Sequence, residues 1–146
     1  MQFEHLDHQR TVDVFFYGLF MDEALLRHKG VNPRNRRIAC VDNFRLLIGA
    51  RATLVPCEGR IVYGVVFSLT HEEIDVLYAE DSVNMYRPEA ISARLSGACV
   101  VPALCFNLPL LPSPEERNEQ YATKLREVAL RIGLPPSYAS SIEKEE

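Results

Sequence analysis

The chain has 146 residues, 47% hydrophobic and 25% charged. That is the balance of one globular domain able to bury a core, not of a disordered chain. Its formal net charge of −4 gives no electrostatic pull toward nucleic acid or an anionic membrane surface, so neither is expected as a partner.

No apolar run reaches the roughly 18 residues of a membrane helix. His5, His8, His28 and His71 are scattered, without the spacing of metal ligands, so no metal is expected. Cys40, Cys57, Cys99 and Cys105 form no CxxC pair, and Cys40, Cys99 and Cys105 lie in apolar, strand-like runs. With no leader segment apparent, four free thiols in a reducing cytoplasm are expected.

The first eleven residues are polar and read as an N-terminal extension to a domain spanning 12–142. Val12 to Tyr17, rich in β-branched and aromatic residues, reads as a strand ended by Gly18. Asp22 is placed to cap a short helix, Glu23–His28, which Gly30 closes. Arg34, Arg36 and Arg37, beside Pro33, read as a solvated loop more readily than as a binding patch. Ile38–Val41 and Phe44–Ile48 read as two extended pieces joined by a turn at Asp42–Asn43. Thr53–Val55 is a further short strand, and Cys57–Glu58–Gly59 a turn. Arg60 to Leu69 is the strongest strand signal, apolar enough to be covered on both faces.

Thr70-His71-Glu72-Glu73 is a capping box. It opens a helix with Ile74, Leu77 and Tyr78 on one face, expected to end near Glu80–Asp81. Ala90–Leu95 and Ala98–Phe106 form a hairpin turning at Ser96–Gly97. Pro109, Pro112 and Pro114 make a stiff connector, and Asn107 is read as a turn residue. A helix from about Arg117 to Ile132 carries Tyr121, Leu125, Val128 and Ile132 on one stripe, with Gly133 closing it and Pro135 and Pro136 barring its continuation. Glu143–Glu146 reads as a disordered tail. Strands without regular βα alternation point to an α+β class: a small mixed β-barrel, one helix inserted between strands, and a C-terminal helix.

Two constellations stand out once phosphate loops, zinc signatures and nucleophile elbows are absent. The first is Phe16-Tyr17-Gly18-Leu19-Phe20-Met21. A glycine there permits close backbone approach or positive φ, and successive N–H groups can cradle an anion; alternatively Gly18 only ends a strand. The second is Glu80-Asp81, followed by Met85-Tyr86-Arg87. Acids at a helix C-terminus oppose the macrodipole, and such a carboxylate suits proton transfer; alternatively the pair is solvated. Tyr63 and Tyr78 read as core or core-edge aromatics. Arg51 reads as surface, with a substrate carboxylate as its other possible partner.

The order of these pieces resembles the γ-glutamylcyclotransferase family and its AIG2-like relatives. Tyr17-Gly18-Leu19-Phe20 stands where that family has a YGSN or YGTL loop, and Gly64-Val65-Val66-Phe67 matches its Gly-Val-Val strand. Leu77, Glu80 and Tyr86 resemble its helix leucine, catalytic glutamate and following tyrosine, and Tyr121 stands 12 residues before Gly133-Leu134-Pro135, as in vertebrate-type members. The resemblance implies cyclisation of a γ-glutamyl amide to 5-oxoproline with release of an amine or amino acid, without metal or cofactor. It implies Glu80 as proton shuttle, Tyr17, Gly18, Leu19 and Phe20 as the substrate loop, and Tyr121 as a substrate contact through its hydroxyl. It also allows a homodimer.

An ungapped match from Gly64 puts Asp81, not Glu80, opposite the family glutamate; the longer Glu80 keeps the reach. Leu19 and Phe20 replace polar loop residues, which leaves backbone donors but removes side-chain ones, and the segment before Tyr86 is shorter. Two other readings stand beside the enzyme: a non-catalytic small-molecule-binding relative on the same fold, and an interaction module docking through the Pro-rich segment 109–114.

Overall fold

The structure is a computed structural model that describes residues 10–142. The expected tail, Glu143–Glu146, and residues 1–9 of the expected extension lie outside the described residues. Five strands and four helices follow in the order β1 (Thr11–Phe16), α1 (Glu23–His28), β2 (Arg34–Ile48), β3 (Ala52–Thr70), α2 (His71–Leu77), β4 (Arg87–Leu95), β5 (Val100–Asn107), α3 (Glu119–Ile132) and α4 (Pro136–Ile142). The strands close into a barrel in the order β1-β3-β2-β4-β5. All neighbours are antiparallel except β1 and β5, which pair in parallel with Val14 opposite Leu104. This is the α+β mixed barrel expected, with two helices between strands, α1 and α2, where one was expected, and two, α3 and α4, after the last strand where one was expected.

Several local signals act as read. Asp22 caps α1 by accepting from the Ala24 N–H at 3.0 Å. Both arms of the capping box at Thr70 form. Gly133, in the left-handed region at φ 96°, closes α3. The β4–β5 connection turns at Ser96–Ala98.

Other elements depart from the reading. The two pieces expected in β2 are one strand, because Asn43 adopts a left-handed conformation (φ 67°) and forms a bulge instead of a turn. Opposite it, Gly59 (φ 85°) donates its N–H to the Asn43 side chain at 2.9 Å, so the expected turn at Cys57–Gly59 is the other half of the same irregularity. The chain reverses between them at Gly49–Arg51, where Gly49 N–H bonds the Arg51 carbonyl at 3.0 Å. The expected strand 53–55 is therefore the start of the 19-residue β3. Helix α2 ends at Leu77, short of Glu80. Pro135 and Pro136 bar continuation of α3 as expected, but Pro136 also opens a helix that was not expected, α4, where its missing N–H costs nothing. Cys99 lies outside β5 and is exposed; it, Cys40, Cys57 and Cys105 are all free thiols.

The core covers both faces of β1 and β3, with Val14, Val65, Phe67 and Leu69 on one face and Phe15 and Val66 on the other, and includes Leu125 of α3 and Ile142 of α4. Gly64 governs the β1–β3 contact: a Cβ there would lie 2.2 Å from the Phe16 carbonyl oxygen and 2.8 Å from the Phe15 ring. Both neighbours are fixed, one by the backbone ladder and one by the core. Among the described residues no helix is long and apolar enough to cross a membrane.

Outside the barrel, Glu73 ties α2 to the loop before β2. Its carboxylate pairs with Arg34 at 2.8 Å and accepts from the N–H groups of Thr70 and Asn32. Burial pushes this carboxyl up, but the Arg34 guanidinium and those two N–H groups outweigh it and bring it down to about 2.

Two expectations follow from these contacts. Gly64→Ala should cost about 3 kcal/mol in urea unfolding, since backbone and core must part to admit one methyl group; a loss below about 1 kcal/mol would show that β1 and β3 can separate cheaply. Glu73 has a folded pKa below its unfolded one, so its contribution is complete above the ordinary carboxylate range and is lost as pH falls toward 2. Acid titration of stability should therefore be flatter for Glu73→Gln than for wild type between about pH 5 and pH 2; parallel curves would contradict the assignment.

Candidate active site

One end of the barrel opens into a cavity of about 500 Å3. Its walls come from the end of β1 and the following loop (Phe16 to Phe20), the β2–β3 turn (Ala50 to Ala52), the segment after α2 (Tyr78 to Tyr86), Phe106 of β5 and Tyr121 of α3. Aromatic rings form a continuous surface. Tyr78 stacks on Phe106 at 4.1 Å, meets Phe20 edge-on at 5.9 Å and leans on Tyr86 at 6.2 Å; Phe20 meets Phe16 edge-on at 6.1 Å.

After β1 the chain makes a single 3-10 turn, with Met21 N–H on the Gly18 carbonyl and Asp22 N–H on that of Leu19, both at 3.0 Å. Gly18 is extended (φ −112°, ψ −152°), so of the two reasons for glycine the close approach applies. A Cβ would lie 2.5 Å from the Tyr121 hydroxyl oxygen. That hydroxyl accepts from the Leu19 N–H, so α3 and the loop are joined at the cavity wall.

The polar groups divide into framework and free chemistry. The Tyr17 hydroxyl is buried and donates to the Phe106 carbonyl at 2.7 Å, with Asn107 Oδ1 at 3.0 Å. Asn107 Oδ1 also accepts from the Leu54 N–H at 3.1 Å, its Nδ2 donates to Glu89 at 2.6 Å, and the Leu108 N–H meets the Thr53 hydroxyl at 2.9 Å. This buried network joins the ends of β1 and β5 to the start of β3. Tyr86 donates to the Ala52 carbonyl. Burial pushes the phenols of Tyr17 and Tyr78 well above their usual range, raises Tyr86, and raises Tyr121 to about 12. Near neutral pH these groups stay protonated.

Glu80 is the one carboxylate among the described lining residues. It sits in the turn beyond α2, where Val83 N–H bonds its carbonyl at 3.0 Å. Its side chain, 45% exposed, meets Lys29 Nζ at 2.9 and 3.0 Å. Lys29 caps the end of α1. Asp81 is exposed and does not line the cavity. Arg51 does line it, and its Nε donates to the Ser82 carbonyl at 2.8 Å.

The structure thus brings Tyr17, Gly18, Leu19, Phe20, Glu80 and Tyr121 to one cavity. The Tyr17 hydroxyl donates to the backbone there, which leaves its ring to face the space, whereas the Tyr121 hydroxyl accepts from the Leu19 N–H and keeps its own O–H as a donor. Reading the sequence missed Lys29, whose partner lies 51 residues away, and took Asn107 for a turn residue when it is a buried hub. A polar residue inside the apolar run Leu104–Leu108 was the available signal for Asn107. Among the described residues, no group of three or more His, Cys, Asp or Glu is arranged to hold a metal ion.

The family model described as gamma-glutamyl cyclotransferase, AIG2-like, matches residues 14–125, more than half of the chain. No curated protein matches the chain significantly. Among solved structures, the fold is similar to one described as a gamma-glutamyl cyclotransferase, with a TM-score of 0.76 and 18% identity over 94% of this chain and 89% of that one. An uncharacterised human protein gives a TM-score of 0.73 and 20% identity over the same shares of the two chains. YkqA of Bacillus subtilis gives 0.75 and 18%, over 94% of this chain and 55% of that one. At such identities the likeness is one of fold.

Asn107→Ala should lower stability by about 2–3 kcal/mol, because the buried Leu54 N–H loses its acceptor and the Tyr17 hydroxyl one of its neighbours. Chemical denaturation measures this; a change below about 0.5 kcal/mol would mean that water replaces the amide.

Proposed function

We propose, from the premise that the chain belongs to the gamma-glutamyl cyclotransferase, AIG2-like family, that it cyclises a γ-glutamyl amide to 5-oxoproline and releases an amine or amino acid. One observation carries this reading: the single lining carboxylate, Glu80, shares a half-open aromatic cavity with the backbone of the Tyr17–Phe20 loop.

The reaction asks little of a protein. The substrate's α-amine is tethered to the γ-carbonyl it attacks, so holding the folded conformer supplies most of the proximity needed. Glu80 takes a proton from the α-ammonium, which replaces Lys29 as the cation on the carboxylate. The freed amine bonds to the γ-carbon, and the carbonyl oxygen carries the developing negative charge. As the intermediate collapses, the bond from that carbon to the leaving nitrogen breaks. The two protons shed by the α-nitrogen end on the leaving nitrogen, carried by Glu80. Burial holds the four phenols in their protonated form near neutral pH, which supports the carboxylate as the base. Leu19 N–H is taken by the Tyr121 hydroxyl and Met21 N–H by the Gly18 carbonyl, so the loop donors offered to the substrate carboxylate or the oxyanion are those of Gly18 and Phe20.

A second reading, a non-catalytic small-molecule-binding relative, is favoured by one feature: Lys29 already neutralises Glu80. It expects binding of γ-glutamyl compounds without turnover.

Purified protein incubated with γ-glutamyl amino acids, γ-glutamyl amines and glutathione should yield 5-oxoproline. Glu80→Gln should lose roughly 10²–10⁴-fold in kcat, and Asp81→Asn should stay near wild type. A loss confined to Asp81→Asn would move the shuttle by one residue, and a folded protein without product on any substrate would leave the binding reading.

A further inference from the structure

Arg51 is the one cavity-lining charge that the mechanism leaves unused. The three charged lining residues are Lys29, Arg51 and Glu80. Lys29 and Glu80 neutralise each other at 2.9 Å. Arg51 forms no ion pair among the described residues. Its Nε is tied to the Ser82 carbonyl at 2.8 Å, and its two terminal nitrogens have no hydrogen-bond partner among the described residues. Glu116 feels the charge of Arg51, but its two oxygens accept from the N–H groups of Ala50 and Ser113.

A guanidinium anchored through Nε presents the flat pair of donors that matches a carboxylate. Its position on the chain says which carboxylate. Arg51 belongs to the β2–β3 turn, a wall separate from the Gly18–Phe20 loop and from Glu80. The glutamyl half of a substrate must reach that loop and Glu80, which leaves the β2–β3 turn to meet the leaving group.

We propose that Arg51 is a specificity-determining residue that binds a carboxylate on the leaving group, so that the preferred substrates are γ-glutamyl amino acids and not γ-glutamyl amines. The inference rests on the cyclotransferase reading. The cavity then carries one positive charge that the second carboxylate of a γ-glutamyl amino acid neutralises, and a γ-glutamyl amine leaves it unanswered.

The test uses a matched pair, γ-glutamyl-alanine and γ-glutamyl-ethylamine, which differ by the leaving group's carboxylate alone. Wild type should favour γ-glutamyl-alanine in kcat/KM by about tenfold, as expected for losing one charge-assisted contact at a partly solvated site. In Arg51→Gln that preference should shrink toward unity, chiefly through a higher KM for γ-glutamyl-alanine; Arg51→Lys should keep part of it. Circular dichroism and the unfolding midpoint check that the variants fold. An equal loss on both substrates would overturn the inference by placing Arg51 on the glutamyl carboxylate they share. No change on either would overturn it by leaving Arg51 outside the substrate contacts. No turnover of either by wild type would overturn the cyclotransferase reading and the inference with it.

Discussion

The buried amide of Asn107 is where the barrel and the cavity become one object. Its oxygen takes a hydrogen bond from the Leu54 N–H and lies 3.0 Å from the Tyr17 hydroxyl, while its nitrogen donates outward to Glu89. Three strand ends that the backbone ladder does not join directly at this point are thereby fixed to each other. An unpaired amide N–H or phenol in that place would cost about 1–3 kcal/mol, so the network specifies one arrangement of the barrel mouth. The position of the Gly18–Phe20 loop follows from Tyr17, and the position of Tyr86 follows from the Ala52 carbonyl at the start of β3.

Above that floor the site is made mainly of rings. Aromatic walls keep the phenols protonated and leave carboxylate chemistry to Glu80. The lysine that faces it comes from the end of α1, whose start is set by Asp22 immediately after the loop turn. The loop, the helix and the cation on Glu80 are thus one continuous stretch from Gly18 to Lys29, which sets the loop and Glu80 at one cavity across a long separation in sequence.

Features governed by neighbours within a few residues were legible in the sequence: the Asp22 cap, the Thr70 capping box, the left-handed Gly133 and the Ser96–Ala98 turn. The resemblance rested on the order of several motifs, and the glycines in two of them, Gly18 and Gly64, are each a place where a Cβ would strike another segment. What stayed hidden depends on distant partners. Asn43 and Gly59 each look like a turn residue alone, and only their pairing makes a bulge. Lys29 and Glu80 carry no local mark of meeting. Pro135 and Pro136 stop α3, yet a proline suits the first turn of α4 equally well, and a stop signal does not announce what begins after it. For Asn107, composition near a proline-rich segment suggested a turn where burial made a hub.

The most direct test of the central claim is the fate of the γ-carbonyl in water enriched in oxygen-18, followed by mass spectrometry of the products of γ-glutamyl-alanine. Intramolecular attack by the α-amine predicts unlabelled 5-oxoproline in step with free alanine. Labelled glutamate would contradict it, because it would mean that water, not the tethered amine, reaches the carbon.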